Sequence, residues 1–259
     1  FVFGVEQVGT NCGLIGKNAA VVVDGIAYWM TAKGFLYYDG TVKTLPCAVE
    51  DEVFDNFDTT KGQQVTAGLN SLFTEITWWY PANSDFSNKA VSYNYAESGE
   101  VPGGVWALST EARTSWMDSK VYEKPYATKF DTTGTGSFPT ILGESGLGQT
   151  KYFQHEVGTD QRNEDGSVTT ITSSLQSYDF DLQGEEGTAS KFVSVSRFLP
   201  DFKTIAGNAT VTLAVKDFPS STESSSTHSP FTVTSSTTKI DTRARGRFVN
   251  VKIANTAAN

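Results

Sequence analysis

The sequence predicts an all-β fold in which β-propeller-like meander blades are followed by an additional β-sandwich-like domain. Turn-forming and aromatic residues are plentiful among the 259 residues, with 23 Gly, 17 Phe, 10 Tyr and 5 Trp. Short runs of β-branched and aromatic residues recur between Gly, Asp and Asn turns, a pattern typical of strands. Long helical tracts of Ala, Leu, Glu and Lys do not occur in the sequence.

Residues 19–46 predict a complete antiparallel meander. Four short β-type runs are separated by Asp24-Gly25, a Lys-Gly step and Asp39-Gly40, and Asp-Gly readily adopts the positive φ angles of a tight hairpin turn. Four antiparallel strands in so short a segment have the size of one propeller blade. The first run, 19–23, is apolar without alternation, which predicts a strand covered on both faces.

A short helix is predicted after this meander, because Val49, Val53 and Phe57 follow one another at four-residue intervals. Its acidic residues fall largely on the opposite face. A cation site and a solvated helix face both account for them, and the solvated face is the commoner arrangement. The acidic residues are Glu50, Asp51, Glu52 and Asp55.

Two further meanders are predicted at 65–108 and 114–183, so that residues 1–187 form the propeller-like portion. The second contains the clear aromatic strand FTEITWWY, which Pro81 ends. The third is interrupted by the loop 131–148, which holds five Gly and one Pro. Loops of this length often carry contacts or function. We therefore take three of its residues as interface candidates: Gly134, Phe138 and Leu142.

Residues 188–259 predict the sandwich-like portion, with alternating strands such as 209–215 and 248–253. The final strand has no visible successor and is expected to be an exposed edge. Because the chain also begins with Phe1, we expect it to be a segment of a longer polypeptide.

The formal net charge of −9 disfavours a general nucleic-acid-binding role, because an acidic surface repels phosphates. A negative net charge is compatible with a surface along which DNA moves without binding. No apolar run approaches the roughly 20 residues that span a membrane, so no membrane span is expected. Cys12 and Cys47 flank the first meander; a single bridge and two free buried thiols are both open, and free thiols are the simpler reading.

No arrangement of catalytic, cofactor-binding or metal-ligating residues is recognisable, and we expect a chain that is not an enzyme and has no cofactor. The two histidines are His155 and His228. A triad or a metal site needs convergent partners, and the sequence shows none at a recognisable spacing. His155 is therefore expected to make a structural hydrogen bond within a strand.

The one basic cluster is Arg243, Arg245 and Arg247. On an extended segment these alternate residues project to the same side, where they could clamp a phosphate or a carboxylate. A salt bridge to another subunit or within the chain is the first expectation, a solvated strand face the second, and a DNA contact the third. The three arginines are the main interface candidates.

Five stretches resemble the tail nozzle proteins of short-tailed bacteriophages, also called tail tubular protein B. They occur in the family's order and are spread over nearly the whole chain. The stretches are NAAVVVDGIAYWM with FLYYDGTVKTLPC (18–47), AGLNSLFTEITWWYP (67–81), KYFQHEVG (151–158), SRFLPDF (196–202) and DTRARGRFVNVKI (241–253).

This resemblance implies a structural component of the virion: a β-propeller with added β-domains, located in the phage tail. It implies that six copies form a ring that extends the tail tube below an adaptor protein, with tail fibres as neighbours. Genomic DNA would pass through the ring during ejection, without sequence-specific binding. The resemblance carries no catalytic residues, and it implies a protein much longer than this chain.

Two other classes of function stay open from the residues alone. One is a glycan-binding or glycan-hydrolysing propeller of a receptor-recognition protein, in which Trp or Tyr side chains stack on sugars. Trp29, Trp78 and Trp79, however, lie inside predicted strands and are expected to pack the core. The other is a cellular propeller that acts as an interaction scaffold. Ring formation distinguishes the nozzle from both, and glycan binding distinguishes the first from the second.

Overall fold

The structure, a computed structural model, describes residues 4, 6–119, 121–131, 149–158, 160–162, 166–181, 192–205, 207–218 and 226–255. Its regular structure is almost entirely antiparallel β-strand, which confirms the all-β prediction. The chain forms two compact units, Phe1–Val157 and Gly158–Asn259. The division therefore falls before residue 187, the boundary that the sequence suggested.

The first unit begins with a four-stranded sheet in the order β1-β2-β3-β4, which confirms the meander predicted at 19–46. Asp24 and Gly25 both have positive φ, at 50° and 82°, as a tight two-residue hairpin requires. Gly40 provides the same freedom at the third turn, with φ of 117°. The strands are Ala20–Val23 (β1), Ile26–Met30 (β2), Phe35–Tyr38 (β3) and Val42–Leu45 (β4).

The prediction that the first strand is covered on both faces is wrong. Val23 is buried whereas Val22 is 64% exposed, so that β1 buries one face only. The reason is that Val21 and Val23 face the core of the first unit, whereas the face that carries Val22 is open to solvent. The strand buried on both faces is instead the tryptophan-rich β6 (Glu75–Tyr80), whose residues from Ile76 onward are all buried.

A short helix, α1 (Glu50–Phe54), follows the first sheet and confirms the predicted helical spacing. Val53 is fully buried, and Phe57 just beyond the helix packs in the same core. Asp51 and Glu52 are exposed to solvent. The described residues contain no group of three or more His, Cys, Asp or Glu placed to hold a metal ion.

The second sheet has the order β5-β6-β7-β8 and confirms the meander predicted at 65–108. Short 3₁₀ turns at Thr59–Gln64 and Ser98–Glu100 lie before it and within it. Its strands besides β6 are Thr66–Asn70 (β5), Lys89–Asn94 (β7) and Trp106–Ser109 (β8). Apolar side chains of the first and second sheets share one core, which includes Phe35 and Trp78 with ring centroids 4.8 Å apart.

The third predicted meander, 114–183, is only partly correct. Its first part is a three-stranded antiparallel sheet in the order β11-β10-β9, made of Ser115–Met117 (β9), Tyr126–Asp131 (β10) and Gln149–Gln154 (β11). The later strands belong to the second unit. There Gln161–Arg162 (β12) pairs with Val168–Thr169 (β13), and Ser173–Gln176 (β14) pairs with the last strand of the chain.

The leading strands of the three sheets adjoin one another. Asn18, just before β1, forms a parallel bridge with Thr66 of β5. Trp116 of β9 donates from Nε1 to the carbonyl of Leu69 in β5, at 2.7 Å. Gly68 permits this approach, because a Cβ there would lie 2.5 Å from the Trp116 indole. Sheets one and three thus contact the same strand of sheet two.

The second unit contains a four-stranded sheet in the order β14-β19-β16-β17 and a separate pair, β15-β18. Its remaining strands are Val193–Phe198 (β15), Ala209–Lys216 (β16), Ser226–Val233 (β17), Ile240–Gly246 (β18) and Phe248–Asn255 (β19). Alternate residues of β16 are buried, among them Val211 and Leu213. Val211, Val233 and Ile240 form one core cluster, which draws on both sheets.

The last strand is not an exposed edge, contrary to the prediction. β19 lies between β14 and β16 and pairs with β16 over eight residues. Its partner β14 is separated from it by more than 70 residues of sequence, so no local pattern could reveal the pairing. This long-range pairing also explains why the second unit begins earlier than predicted.

Candidate functional site

The three candidate arginines lie on β18 and at its end. Ala244 and Gly246 point inward and are buried, whereas Arg243 and Arg245 alternate with them and are exposed. Arg247 comes after the strand, at the one-residue link from β18 to β19. Its backbone N–H donates to the carbonyl of Lys216, at 2.9 Å, which anchors the link to β16.

Two of these arginines are brought together on an exposed phenyl ring. The guanidinium carbons of Arg245 and Arg247 lie 4.9 Å and 5.3 Å from the centroid of Phe192. Arg247 also lies 5.3 Å from the centroid of Phe218. Phe192 and Phe218 are 48% and 58% exposed. We name Arg245, Arg247, Phe192 and Phe218 the arginine–phenylalanine surface.

The ring faces attract the guanidinium charges by cation–π interaction, which is worth about 0.5–1 kcal/mol at exposed sites. They do not supply a hydrogen-bond acceptor. Nε of Arg247 is buried, and it has no hydrogen-bond partner among the described residues. A buried donor without a partner is costly, and the contacts that the structure gives the Arg247 guanidinium are those with the two phenyl rings.

The nearby carboxylates are engaged with other cations. Asp241 receives a hydrogen bond from Arg197 Nε at 2.8 Å and also contacts Lys239. Asp179 lies 2.8 Å from Lys216 Nζ. Arg243, Arg245 and Arg247 have no carboxylate partner anywhere in the part of the chain that the structure describes.

This arrangement can bind an anion. A guanidinium presents a planar fork of N–H donors that fits a carboxylate or a phosphate. The guanidiniums of Arg245 and Arg247, both in contact with the Phe192 phenyl ring, form a local positive charge. The formal net charge of the chain is −9. The exposed phenyl rings add apolar area beside the charge, a combination that is typical of protein interfaces.

The other interface candidates, Gly134, Phe138 and Leu142, lie outside the described residues. The contacts of Phe192 and Phe218 with the arginines were not predicted from the sequence. Each is far from the arginines in sequence, and only the pairing of β15 with β18 and of β16 with β19 brings them near.

A second cluster of charged side chains surrounds His155 in the first unit. Arg113 donates from Nε to His155 Nε2 at 2.8 Å and from a terminal nitrogen to Glu111 at 2.7 Å. Burial, together with the positive charge of Arg113, lowers the pKa of His155 to about 4. The expected structural hydrogen bond of His155 is therefore confirmed, although His155 lies just after β11 and not within a strand, and its partner is 42 residues away in the sequence.

The two cysteines are not bonded to each other, which agrees with the simpler of the two readings. Burial raises the pKa of the Cys47 thiol to about 11. A thiol with so high a pKa is a poor nucleophile near neutral pH, because the thiolate is the reactive form. Cys47 therefore acts as a small apolar residue packed against the core of the first unit.

Comparison with known proteins gives no family to which the chain can be assigned: no protein-family model matches it, and no match is found among curated proteins. In the part of the chain that is described, no helix is long and apolar enough to cross a membrane.

Proposed function

We propose that this chain is a structural component of a bacteriophage tail, forming part of a ring-shaped nozzle that extends the tail tube. The observation that carries the proposal is the set of stretches resembling tail nozzle proteins. Two of them, 18–47 and 67–81, coincide with the sheets that share the largest core. A third, 241–253, contains the arginines and runs through β18 into the central strand β19.

The arrangement of the first three sheets supports propeller-like blades. Each sheet is an antiparallel meander, and the leading strands β1, β5 and β9 adjoin in sequence order. Blades of a propeller are ordered in this way around a central axis. We infer that the three sheets are consecutive blades.

The arginine–phenylalanine surface is proposed to contact a neighbouring copy in the ring. In a ring assembly each subunit has two different contact surfaces. The first surface of one subunit binds the second surface of the next subunit. The guanidiniums of Arg245 and Arg247 have no carboxylate partner among the described residues and lie beside exposed phenyl rings. They fit one half of such a contact, with carboxylates of the next copy as the other half. The ring is expected to contain six copies, as the family resemblance implies, with the tail adaptor protein above it and tail fibres beside it.

The net charge of −9 fits the passage of DNA through the ring. An acidic channel wall repels phosphates at short range, and salt screens this repulsion beyond about 10 Å. DNA would therefore slide through the channel without adhering, and its sequence would not matter. The proposed location of the chain is the virion.

Sedimentation velocity of the wild type and of Arg245→Glu tests the proposed contact. Arg245 is exposed and, among the described residues, loses only its contact with Phe192, so the charge reversal is expected to weaken assembly more than it weakens folding. Lys33→Glu is the matched control, because Lys33 is an exposed cation of the first unit and does not belong to the arginine–phenylalanine surface. Equal assembly of all three proteins would contradict the assignment of this surface.

A further inference from the structure

The second unit carries a polar cleft of about 370 Å³ on one face of the sheet β14-β19-β16-β17. Ala214 and Lys216 of β16 line it, and they alternate with the buried Leu213 and Val215. The cleft is therefore on the face of β16 that turns away from the core. Its other principal lining residues are Gln176, Tyr178, Asp179 and Asn250.

The charges in the cleft balance each other. Lys216 Nζ lies 2.8 Å from an oxygen of Asp179, and both side chains are largely buried. The pair is thus held in place and presents one cation and one anion to the cleft. A ligand of either net charge would meet a group of the same sign as well as one of opposite sign, so the cleft favours a neutral polar ligand.

Two amide side chains are fixed beside this ion pair. Gln176 donates from Nε2 to Asn250 Oδ1 at 3.1 Å, and Asn250 donates to the carbonyl of Ser177. These bonds orient both amides and leave Gln176 Oε1 without a hydrogen bond from the described residues. Together with the second carboxylate oxygen of Asp179 and the remaining protons of Lys216, the cleft offers acceptors and donors side by side.

An exposed aromatic ring stands at the same cleft. Tyr178 is 81% exposed, and no other aromatic ring of the described chain contacts it. A tyrosine side chain offers an apolar face and a hydroxyl, so it suits a ligand with one apolar and one polar side. Its place in the lining of a polar cleft, rather than its exposure alone, makes this ring available to a ligand.

We propose that this cleft binds a neutral saccharide. Sugar hydroxyls both donate and accept hydrogen bonds, so they can pair with the donors and the acceptors of the amides and the ion pair. The C–H face of a pyranose ring can stack on the tyrosine ring. Pockets of about 300–1,000 Å³ hold small-molecule ligands, and this cleft lies within that range. Such binding is a separate function from ring assembly, and it would give the chain contact with a glycan-covered surface.

The balanced charges and the polar lining of the cleft argue against charged and apolar ligands. A phosphate ester would compete with Asp179 for Lys216 and would lie beside a carboxylate. An apolar ligand would leave the amides and the ion pair without water or hydrogen bonds, which is costly. A neutral ligand rich in hydroxyl groups meets neither difficulty.

Saturation-transfer difference NMR on the purified protein tests the proposal. The probes are the methyl glycosides of glucose, galactose, mannose, rhamnose and N-acetylglucosamine. We expect transfer to the ring protons of at least one of these sugars. Tyr178→Ala should weaken binding about fivefold or more, because the stacking face is lost, whereas Tyr178→Phe should retain it.

Tyr122→Ala is the control, since Tyr122 is a half-exposed tyrosine of the first unit and lies outside the cleft. Tyr178 is exposed, so its truncation is expected to leave the fold intact, as circular dichroism would show. The proposal is overturned if no sugar of the panel shows transfer. It is equally overturned if Tyr178→Ala binds as well as the wild type, since the sugar would then occupy another place.

Discussion

His155 is expected to make the stability of the first unit depend on pH. Its Nε2 accepts a hydrogen bond from Arg113, and its Nδ1 lies 3.7 Å from Glu111. This arrangement requires a neutral imidazole. In the folded chain the pKa of His155 is about 4, because of burial and of the positive charge of Arg113, whereas an unfolded histidine has a pKa of about 6.5.

This difference in pKa means that the first unit becomes less stable as the pH falls. As the pH falls from about 6.5 to about 4, the unfolded chain takes up a proton at His155 that the folded chain does not, so stability decreases. The two pKa values give a loss of about 2 kcal/mol between about pH 7.5 and about pH 5. Partial exposure of the side chain to solvent reduces this to about 1–2 kcal/mol.

Urea denaturation at the two pH values, followed by tryptophan fluorescence, measures this loss. All five tryptophans lie in the first unit, so the signal reports on that unit alone. His155→Gln keeps an acceptor for Arg113 but does not titrate, and it is expected to lose about 1–2 kcal/mol less than the wild type on acidification.

His228→Gln is the control, because His228 is a half-buried residue of the second unit. It should show the pH dependence of the wild type in this signal. The reasoning is refuted if His155→Gln and the wild type lose the same stability between the two pH values. That result would mean that His155 is already protonated in the fold, or that it is solvated.

Two further predictions concern packing in the first unit. Gly68→Ala should cost about 1–3 kcal/mol in urea denaturation, because the new Cβ would meet the Trp116 indole at 2.5 Å; Gly99→Ala, with open space at its Cβ, should cost much less. Cys47 should react with a thiol reagent much more slowly than a free cysteine at neutral pH, because its pKa is about 11. The control is the variant Cys47→Ser, whose one remaining thiol is Cys12. Rapid labelling of this variant would establish that the reagent itself is active.

Local patterns in the sequence predicted the first two sheets well. Both consist of neighbouring strands joined by short turns, so the information for pairing lies within each segment. The Asp24-Gly25 turn shows this directly, since the residue types that favour positive φ are those that adopt it. The short helix likewise follows from the spacing of its apolar residues.

Long-range pairing accounts for what the sequence did not predict. β14 and β19 pair across the whole second unit, and no local signal marks them as partners. The arginine cluster was visible as a motif, but its contacts with Phe192 and Phe218 depend on that topology. The cleft beside Tyr178 has the same origin, because its walls come from strands far apart in the sequence.

Negative-stain imaging of the purified protein tests the nozzle proposal most directly. Images should be recorded over a range of protein concentrations, alone and after mixing with phage tail components. The proposal predicts rings of six copies with an open centre, and it predicts that Arg245→Glu depletes them. Single particles at every concentration, in the presence and absence of tail components, would contradict it.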